Sequence, residues 1–337
     1  MSPRWDDINA RARGLAEHLA AATVLDELAE APDLPSFTRA ARAVGLIAPE
    51  AAAPSPPALE LALRRAAAGQ FRIMLRWLDQ RLPLLRVVVD DEDRRSVRAM
   101  VRGAAAAAPA EARLAGLVPT PALPERLLEE LACQPRPQDV AALLAAWQHP
   151  FGTAALAAAT GEHPDLFRFE LEVDRVFAAR AVAGGRGGGP LLRSFVAETI
   201  DYANLLAALV LAAGESEQPA EAVFLPGGSR LTRERFLEAV AAGPATVAER
   251  LADAFGPLEA AVIRRHSDDA GALERELLAL RIRRLRTVAR RDPLGPAPTL
   301  GYFLRLRAQA MNLRLLLWGA ALGAPAAVRR ERLVRSA

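Results

Sequence analysis

The stretch that decides the fold is Asp201–Leu209, Asp-Tyr-Ala-Asn-Leu-Leu-Ala-Ala-Leu, because Gln309–Leu317, Gln-Ala-Met-Asn-Leu-Arg-Leu-Leu-Leu, is a second copy of it. The asparagines of the two copies, Asn204 and Asn312, stand 108 positions apart. An apolar stripe with steps of three and four residues runs through each copy, which places its members on one face of an α-helix. The stripes are Leu192, Val196, Ile200, Ala203, Ala207 and Val210 in the first copy and Leu300, Leu304, Ala308, Met311, Leu315 and Trp318 in the second.

A third and weaker copy lies 108 positions before the first. Asp93–Val101, Asp-Arg-Arg-Ser-Val-Arg-Ala-Met-Val, keeps the aspartate and has Ser96 in place of the asparagine. The loop sequence Leu-Val-Pro at 117–119 likewise matches Phe-Leu-Pro at 224–226. These matches predict three homologous helical units of about 108 residues. Their approximate boundaries, which allow the units to interleave, are 1–116, 117–224 and 225–337.

The composition predicts an all-α fold. Of the 337 residues, 52% are apolar and 25% are charged, which is typical of a soluble globular protein. Alanine, leucine, arginine and glutamate dominate, and these residues lose little side-chain freedom in a helix. The 43 basic residues nearly balance the 40 acidic residues and are interspersed with glutamates. The sequence therefore predicts no nucleic-acid partner.

Several kinds of active site are excluded by residues that the chain lacks. All 43 basic residues are arginine, so there is no P-loop lysine, no Schiff-base lysine and no Ser-x-x-Lys nucleophile. The single cysteine, Cys133, excludes an intramolecular disulfide and a cysteine-rich zinc cluster. No two of the four histidines stand three or four residues apart. We therefore expect no enzyme activity, no cofactor, no metal and no small-molecule substrate.

The acidic cluster at 90–94, Asp-Asp-Glu-Asp-Arg, is the pattern most similar to a metal site. Helical isoprenoid synthases hold magnesium with two Asp-Asp-x-x-Asp segments, so an all-α enzyme of that type is one alternative function. However, Arg94 stands where the last aspartate would be, and the other pair, Asp268-Asp269, lacks that aspartate too. Magnesium needs converging carboxylates. The cluster therefore predicts a solvated helix start.

Glycine and proline mark breaks before the striped helices. The glycine run at 184–189 does not match Gly-x-Gly-x-x-Gly, so it predicts a loop of undetermined role and no dinucleotide site. Pro190 and Pro298 suit the first turn of the helices that follow. Pro-Gly-Gly-Ser-Arg at 226–230 predicts a tight turn, with Thr232 as N-cap of the next helix.

Neither a membrane span nor a signal peptide is predicted. The longest apolar segments, 205–213 and 315–328, are shorter than the roughly 20 residues that a span needs or contain glycine and proline. The first residues lack the hydrophobic region of a signal peptide. We therefore expect the chain to stay in the cytoplasm.

The C-terminal sequence resembles that of a known family. Residues 308–325, Ala-Gln-Ala-Met-Asn-Leu-Arg-Leu-Leu-Leu-Trp-Gly-Ala-Ala-Leu-Gly-Ala-Pro, and 328–333, Val-Arg-Arg-Glu-Arg-Leu, are similar to the end of one rotary-ATPase subunit. This is the C subunit of bacterial and archaeal V/A-type ATPases, equivalent to the d subunit of eukaryotic vacuolar enzymes. Residues 224–231, 291–298 and 9–13 resemble further landmarks, so the resemblance covers essentially the full length.

The resemblance implies both a fold and a function. In this family, three homologous helical units surround a pseudo-three-fold axis and form a funnel. The resemblance implies a non-catalytic central-stalk (rotor) subunit that couples the D–F shaft to the membrane proteolipid ring and transmits torque for ATP-linked proton or sodium transport. Such a subunit would be peripheral to the inner face of the cell membrane. The alternative is a general helical-repeat scaffold with other partners.

Four residues of the repeated segment are candidates for partner contacts. Arg98 and Arg314 occupy equivalent positions, where the middle copy has Leu206. They either face the axial cavity and a partner, or they are solvent-exposed helix arginines. Asn204 and Asn312 either form hydrogen bonds between helices or contribute to an interface.

Overall fold

The computed structural model describes residues 4–47, 55–161, 164–214 and 218–335. Helices make up 73% of it and these ranges contain no strand, which confirms the predicted all-α class. A 3-10 helix, Asp79–Leu85, lies between α4 and α5. The α-helices are α1 (Asp6–Ala16), α2 (Ala22–Ala29), α3 (Leu34–Ala43), α4 (Pro56–Leu78), α5 (Arg86–Ala105), α6 (Ala110–Leu114), α7 (Glu125–Ala132), α8 (Pro137–Ala146), α9 (Gly152–Ala158), α10 (Leu166–Gly185), α11 (Gly189–Ala212), α12 (Ala220–Val223), α13 (Arg233–Ala241), α14 (Val247–Ala252), α15 (Pro257–Arg265), α16 (Ala270–Arg291), α17 (Ala297–Ala321) and α18 (Ala326–Glu331).

Long helices occur in consecutive pairs along the chain, namely α4 with α5, α10 with α11 and α16 with α17. The break between α10 and α11 comprises only residues 186–188, because both helices extend into the glycine run. Pro190 and Pro298 lie in the first turns of α11 and α17, as predicted. Thr232 caps α13 by accepting the Arg235 N–H at 3.3 Å, which confirms its predicted role.

The described residues of 80–113 and 120–273 form one compact body, which we call the central body. In this body α10 packs against α5, α9 and α11, and α8 packs against α5 and α9. α11 also packs against α13 and α14. The contacts of α10 and α11 bury large side chains such as Phe169 and Phe177 completely or nearly so.

The described residues of 4–79, 114–119 and 274–335 form a second compact body, the terminal body. Its central helix is α17, which packs against α1, α2, α3 and α4. Phe37, Leu59, Leu316 and Leu317 belong to one buried apolar cluster of this body. Segments from both ends of the chain therefore share a core. The division of the sequence into three homologous units remains a prediction.

α11 and α17 bury equivalent positions. The first three residues of each predicted stripe are buried, whereas the last three are only half-buried. In the second half of both helices, the core is formed by the positions one and two residues beyond the stripe residues. These are Asn204, Leu205, Ala208 and Leu209 in α11 and Asn312, Leu313, Leu316 and Leu317 in α17.

α11 is long and apolar enough to cross a membrane, by length and composition, and no other helix in the described ranges meets that test. It has 24 residues, and its most apolar window has a mean hydropathy of 1.5. This differs from the sequence expectation, because the acidic residues Glu198 and Asp201 interrupt the run without offsetting its many leucines and alanines. Since 61% of that window is buried inside the fold, α11 has the burial of a core helix.

The prediction that residues 90–94 form a solvated helix start is wrong. They lie inside α5, and Asp90, Asp93 and Arg94 are buried. Arg180 of α10 donates to both oxygens of Asp90, at 2.8 and 3.2 Å. Burial raises the pKa of Asp90, and the bond to Arg180 opposes that rise. This partner lies 90 positions away, so the local sequence gives no sign of it.

Candidate functional site

Asn204 and Asn312 make the same hydrogen bonds at their equivalent positions. Asn204 donates to the carbonyl of Leu225 and accepts from its N–H, both at 2.8 Å. Asn312 makes the same two bonds to Val334, at 3.1 and 2.8 Å. Both side chains are buried. A carboxamide carries one acceptor and one donor group, which match the two polar groups of a single backbone residue. This pairing gives the repeated asparagine a structural role.

Asp201 holds the loop that follows Leu225, the backbone partner of Asn204. Its carboxylate accepts the backbone N–H groups of residues 229–231, at 3.0 to 3.1 Å. Two glycines let the loop approach this closely. A Cβ on Gly228 would lie 2.1 Å from Asp201 Oδ1, and Gly227 has a φ of +113°. The predicted turn at 226–230 therefore exists, and its function in the fold is to enclose a buried carboxylate.

Asp93 holds the corresponding loop in the weaker copy. The hydroxyl of Thr120 donates to Asp93 and itself accepts the N–H of Leu123, at 3.0 Å. The other Asp93 oxygen lies 3.6 Å from Nε2 of His149. His149 Nδ1 accepts the N–H of Phe151 at 3.2 Å. This buried aspartate and histidine are thus held by their own chain.

Arg98 belongs to a ladder of ion pairs between α5 and α10. Arg94 and Arg98 share Asp174, with Arg94 at 3.0 Å. Arg98 lies 3.5 Å from Glu170, which also pairs with Arg102 at 2.6 Å. The arginines recur every four residues and so do the carboxylates, so each set lies on one helix face. Side-chain exposure rises from 10% at Arg94 through 27% at Arg98 to 64% at Arg102.

Burial and the neighbouring carboxylates act in opposite directions on the pKa values of this ladder. At Arg94, burial alone would lower the pKa, but Asp91 and Asp174 raise it above the ordinary value. At Arg98, burial lowers the pKa and Asp174 offsets only part of that effect. Arginine stays protonated in either case. Removing Asp174 would therefore take one carboxylate from each of two charged arginines, with Asp91 remaining beside Arg94 and Glu170 beside Arg98.

Arg314 lies at the edge of a cavity in the terminal body. Its side chain is 53% exposed, and its Nε lies 2.6 Å from Oε1 of the buried Glu60. Trp318, one turn further along α17, donates its indole N–H to the other oxygen of Glu60 at 2.8 Å. Glu60 thereby joins α4 to α17. The cavity has a volume of about 530 Å³, and its lining includes Leu63 and Leu313.

α1 holds the break between α16 and α17 in place. Asn9 donates to the carbonyls of Pro293 and Gly295, at 3.1 and 2.8 Å. Its oxygen accepts the hydroxyl of Thr299 at 2.8 Å. Arg13 donates to Pro293 as well, at 3.2 Å. The N-terminal sequence landmark at 9–13 therefore fixes the conformation of a distant loop.

The four predicted contact residues lie in two different settings. Arg98 and Arg314 form ion pairs within their own chain, and Arg314 is the more exposed of the two. Asn204 and Asn312 each use both the oxygen and the NH2 group of the side chain to bond to backbone of the same chain. No hydrogen bond or ion pair in the described part of the chain joins any two of the four. Contact with a partner remains a prediction for each of them.

Sequence reasoning missed the acidic partners of both arginines. Asp174 lies 76 positions from Arg98, and no local pattern connects them. The matching four-residue spacing of Glu170 and Asp174 is the signal that could have revealed the ladder. Among the residues that the structure describes, no group of three or more His, Cys, Asp or Glu side chains is arranged to hold a metal ion.

Known proteins match this chain over most of its length. The sequence model of the family described as "ATP synthase (C/AC39) subunit" matches residues 8–332. Two relatives, each the C subunit of a V-type ATP synthase, come from two strains of Thermus thermophilus. Each is 30% identical over 255 residues, which covers 74% of this chain and 74% of the relative. The chain therefore belongs to the family of C (AC39) subunits of V/A-type ATP synthases.

Proposed function

We propose that this protein is the non-catalytic central-stalk subunit of a V/A-type rotary ATPase. It acts as a socket that couples the D–F shaft to the proteolipid ring and transmits torque for ATP-linked proton or sodium transport. The observation that carries the proposal is the family match across residues 8–332. The protein would lie on the cytoplasmic face of the membrane, as a peripheral part of the complex.

Ion pairs and hydrogen bonds between long helices support a mechanical role. In the central body, the ladder from Arg94 to Arg102 links α5 to α10 along two turns. In the terminal body, Glu60 links α4 to α17. Charge-assisted hydrogen bonds depend strongly on geometry. Such links therefore oppose the sliding of one helix along its neighbour, which is what a torque-bearing subunit requires.

The exposed arginines support a contact with acidic partner groups. Arg314 presents half of its side chain to solvent while its Nε forms an ion pair with Glu60. A guanidinium has five N–H donors in a fork, so it can bind a second carboxylate without releasing the first. We therefore assign a partner contact to Arg314 and, at its exposed edge, to Arg98. Asn204 and Asn312 would support this contact by holding the adjacent loops.

Native mass spectrometry of the full chain mixed with the D–F shaft of its own organism tests the proposal. We expect a one-to-one-to-one complex that survives moderate salt. Failure to bind, with a helical circular dichroism spectrum that proves folding, would contradict the socket role. A folded chain that binds neither the shaft nor the ring would instead support a general helical scaffold.

The contact at Arg314 has its own matched pair of variants. Arg314→Gln alone would leave the buried Glu60 with one partner fewer, so we would compare Glu60→Gln with Glu60→Gln/Arg314→Gln. Both variants lack the buried charge, and only the second lacks the guanidinium. We expect weaker assembly with the shaft or the ring for the double variant. Equal assembly of the two variants would dismiss Arg314 as a contact.

A further inference from the structure

The second half of α16 carries arginines without acidic residues. Residues 277–291 contain six arginines and no aspartate or glutamate. The stretch that follows, residues 293–330, contains five more arginines and likewise no aspartate or glutamate. Arg286, Arg290 and Arg291 are exposed. Arg286 and Arg290 stand four positions apart and therefore lie on one face of the helix.

Two arginines of neighbouring helices extend this basic surface. Arg13 of α1 is exposed and reaches the loop after α16, where it donates to Pro293. Arg305 of α17 lies near Arg286: burial lowers the pKa of Arg305, and the like charge of Arg286 lowers it further. Within the described residues, Arg13, Arg286, Arg290, Arg291 and Arg305 form no ion pair with a carboxylate. Their positive charge is therefore not neutralised inside the chain.

The loop at 292–296 adds an apolar group to this surface. Leu294 is 65% exposed, as Leu258 and Leu322 are elsewhere in the chain, and it differs from them in lying beside these arginines. The acidic residue of the loop, Asp292, turns its carboxylate back, so that a Cβ on Gly295 would lie 2.1 Å from it. The bonds from Asn9 hold the loop backbone in place. Leu294 is thus held at the end of a rigid basic helix pair.

We propose that this surface, the basic tip (Arg13, Arg286, Arg290, Arg291, Leu294 and Arg305), docks on a bilayer that contains anionic phospholipids. The arginines would bind lipid phosphates, for which a guanidinium has the matching bidentate geometry. Leu294 would enter the boundary between headgroups and acyl chains, as apolar residues of interfacial segments do. The exposed leucine favours a membrane over a nucleic acid or an acidic protein, since a purely polyanionic partner needs only the charges. The inference rests on the membrane-associated family and does not depend on the socket role.

Vesicle sedimentation with the full chain tests this docking. We expect binding to vesicles of equal parts phosphatidylcholine and phosphatidylglycerol, and little binding to pure phosphatidylcholine. Arg286→Gln/Arg290→Gln/Arg291→Gln should weaken binding by about tenfold or more, since each basic residue adds to the attraction. The matched control, Arg233→Gln/Arg235→Gln/Arg250→Gln, removes three exposed arginines from α13 and α14 and should bind like the wild type. Leu294→Ser, which keeps every charge, should bind several-fold more weakly.

Four outcomes would overturn the docking proposal. The first is no binding of the wild type to the anionic vesicles. The second is an equal loss in both triple variants, which would mean attraction by net charge alone. The third is unchanged binding of Leu294→Ser, which would indicate a site for a polyanion or an acidic protein. The fourth is equally strong binding to vesicles of pure phosphatidylcholine. Assembly of the tip variant with the D–F shaft, measured separately, distinguishes failure of this proposal from failure of the socket role.

Discussion

At the scale of single residues, buried asparagines complete the hydrogen bonding of loop backbone. Asn204, Asn312 and Asn9 each bond to backbone far away in sequence. An unpaired buried N–H or C=O costs about 1–3 kcal/mol. A residue that satisfies both groups at once is therefore difficult to replace, which gives a physical reason for the recurrence of asparagine at 204 and 312.

We expect Asn312→Ala to lower the free energy of unfolding by about 2–4 kcal/mol, because it leaves the N–H and C=O of Val334 without partners. Asn312→Asp should also destabilise, since it keeps the bond to the N–H but sets a carboxylate against the Val334 carbonyl. Asn204→Ala should behave like Asn312→Ala. Urea unfolding measures all three. A loss below about 0.5 kcal/mol for Asn312→Ala would show that these bonds add little stability.

Tyr302 should make the stability of the fold depend on pH in the alkaline range. It is completely buried, its hydroxyl donates to Gln70 at 3.0 Å, and burial raises its pKa to about 12. The unfolded chain releases the phenolic proton near pH 10 while the folded chain retains it. The stabilisation is therefore complete below about pH 10 and declines by about 2–3 kcal/mol as the pH rises to about 12.

The measurement is urea unfolding across this pH range for the wild type and for Tyr302→Phe, which should lose this part of the pH dependence. Tyr202→Phe serves as the control, because it leaves Tyr302 as the sole tyrosine. A phenolate absorbance titration of that control variant should then give a midpoint near 12. A midpoint near 10 would contradict the assignment.

At the scale of helices, the ladder between α5 and α10 should be most sensitive at its buried end. Asp174→Ala removes the carboxylate that Arg94 and Arg98 share but leaves Asp91 beside Arg94, so we expect a loss of about 1.5–3 kcal/mol of stability. Arg102→Ala removes the exposed end and leaves the buried Glu170 with Arg98, so we expect a smaller loss of about 1 kcal/mol. Urea unfolding of both variants measures the two losses of stability. Equal losses for the two variants would mean that the contribution of these ion pairs to stability does not increase with their burial.

The loop around Asp201 should not tolerate a side chain at Gly228. A Cβ there would collide with the Asp201 carboxylate, so Gly228→Ala should destabilise by at least about 2 kcal/mol. The matched substitution Gly69→Ala lies inside α4, where a Cβ meets no atom within 4 Å. It should stabilise the protein by about 0.5–1 kcal/mol. Thermal unfolding of both variants checks the prediction, and a neutral Gly228→Ala would refute the close approach.

Two of the long helices, α11 and α17, were predictable from sequence, and their buried faces only in part. The repeat around Asn204 and Asn312 predicts both α11 and α17, and proline predicts where they begin. The stripe gives the buried face only for the first half of each helix. In the second half the neighbouring face is buried, because the contacts of distant segments decide which face packs. The ladder was missed for the same reason.

At the scale of the whole molecule, the sequence predicts the protein's family more directly than it predicts how the helices pack. The resemblance of the C-terminal segment to the C-subunit family is confirmed by the match over residues 8–332. The terminal body, by contrast, depends on pairings such as Trp318 with Glu60, which are 258 positions apart. Helical periodicity says which residues face a partner helix but not which helix that is. Which distant helices pack together could therefore not be predicted from local sequence patterns.

Reconstitution of the bridge tests the central claim most directly. The proteolipid ring in lipid nanodiscs, the D–F shaft and this protein would be combined, and the D–F that remains bound to the nanodiscs would be measured. We predict that the shaft binds to the ring-containing nanodiscs only when this protein is added, and in equal amounts with it. Equal retention of the shaft without this protein, or none in its presence, would contradict its role as the coupling socket.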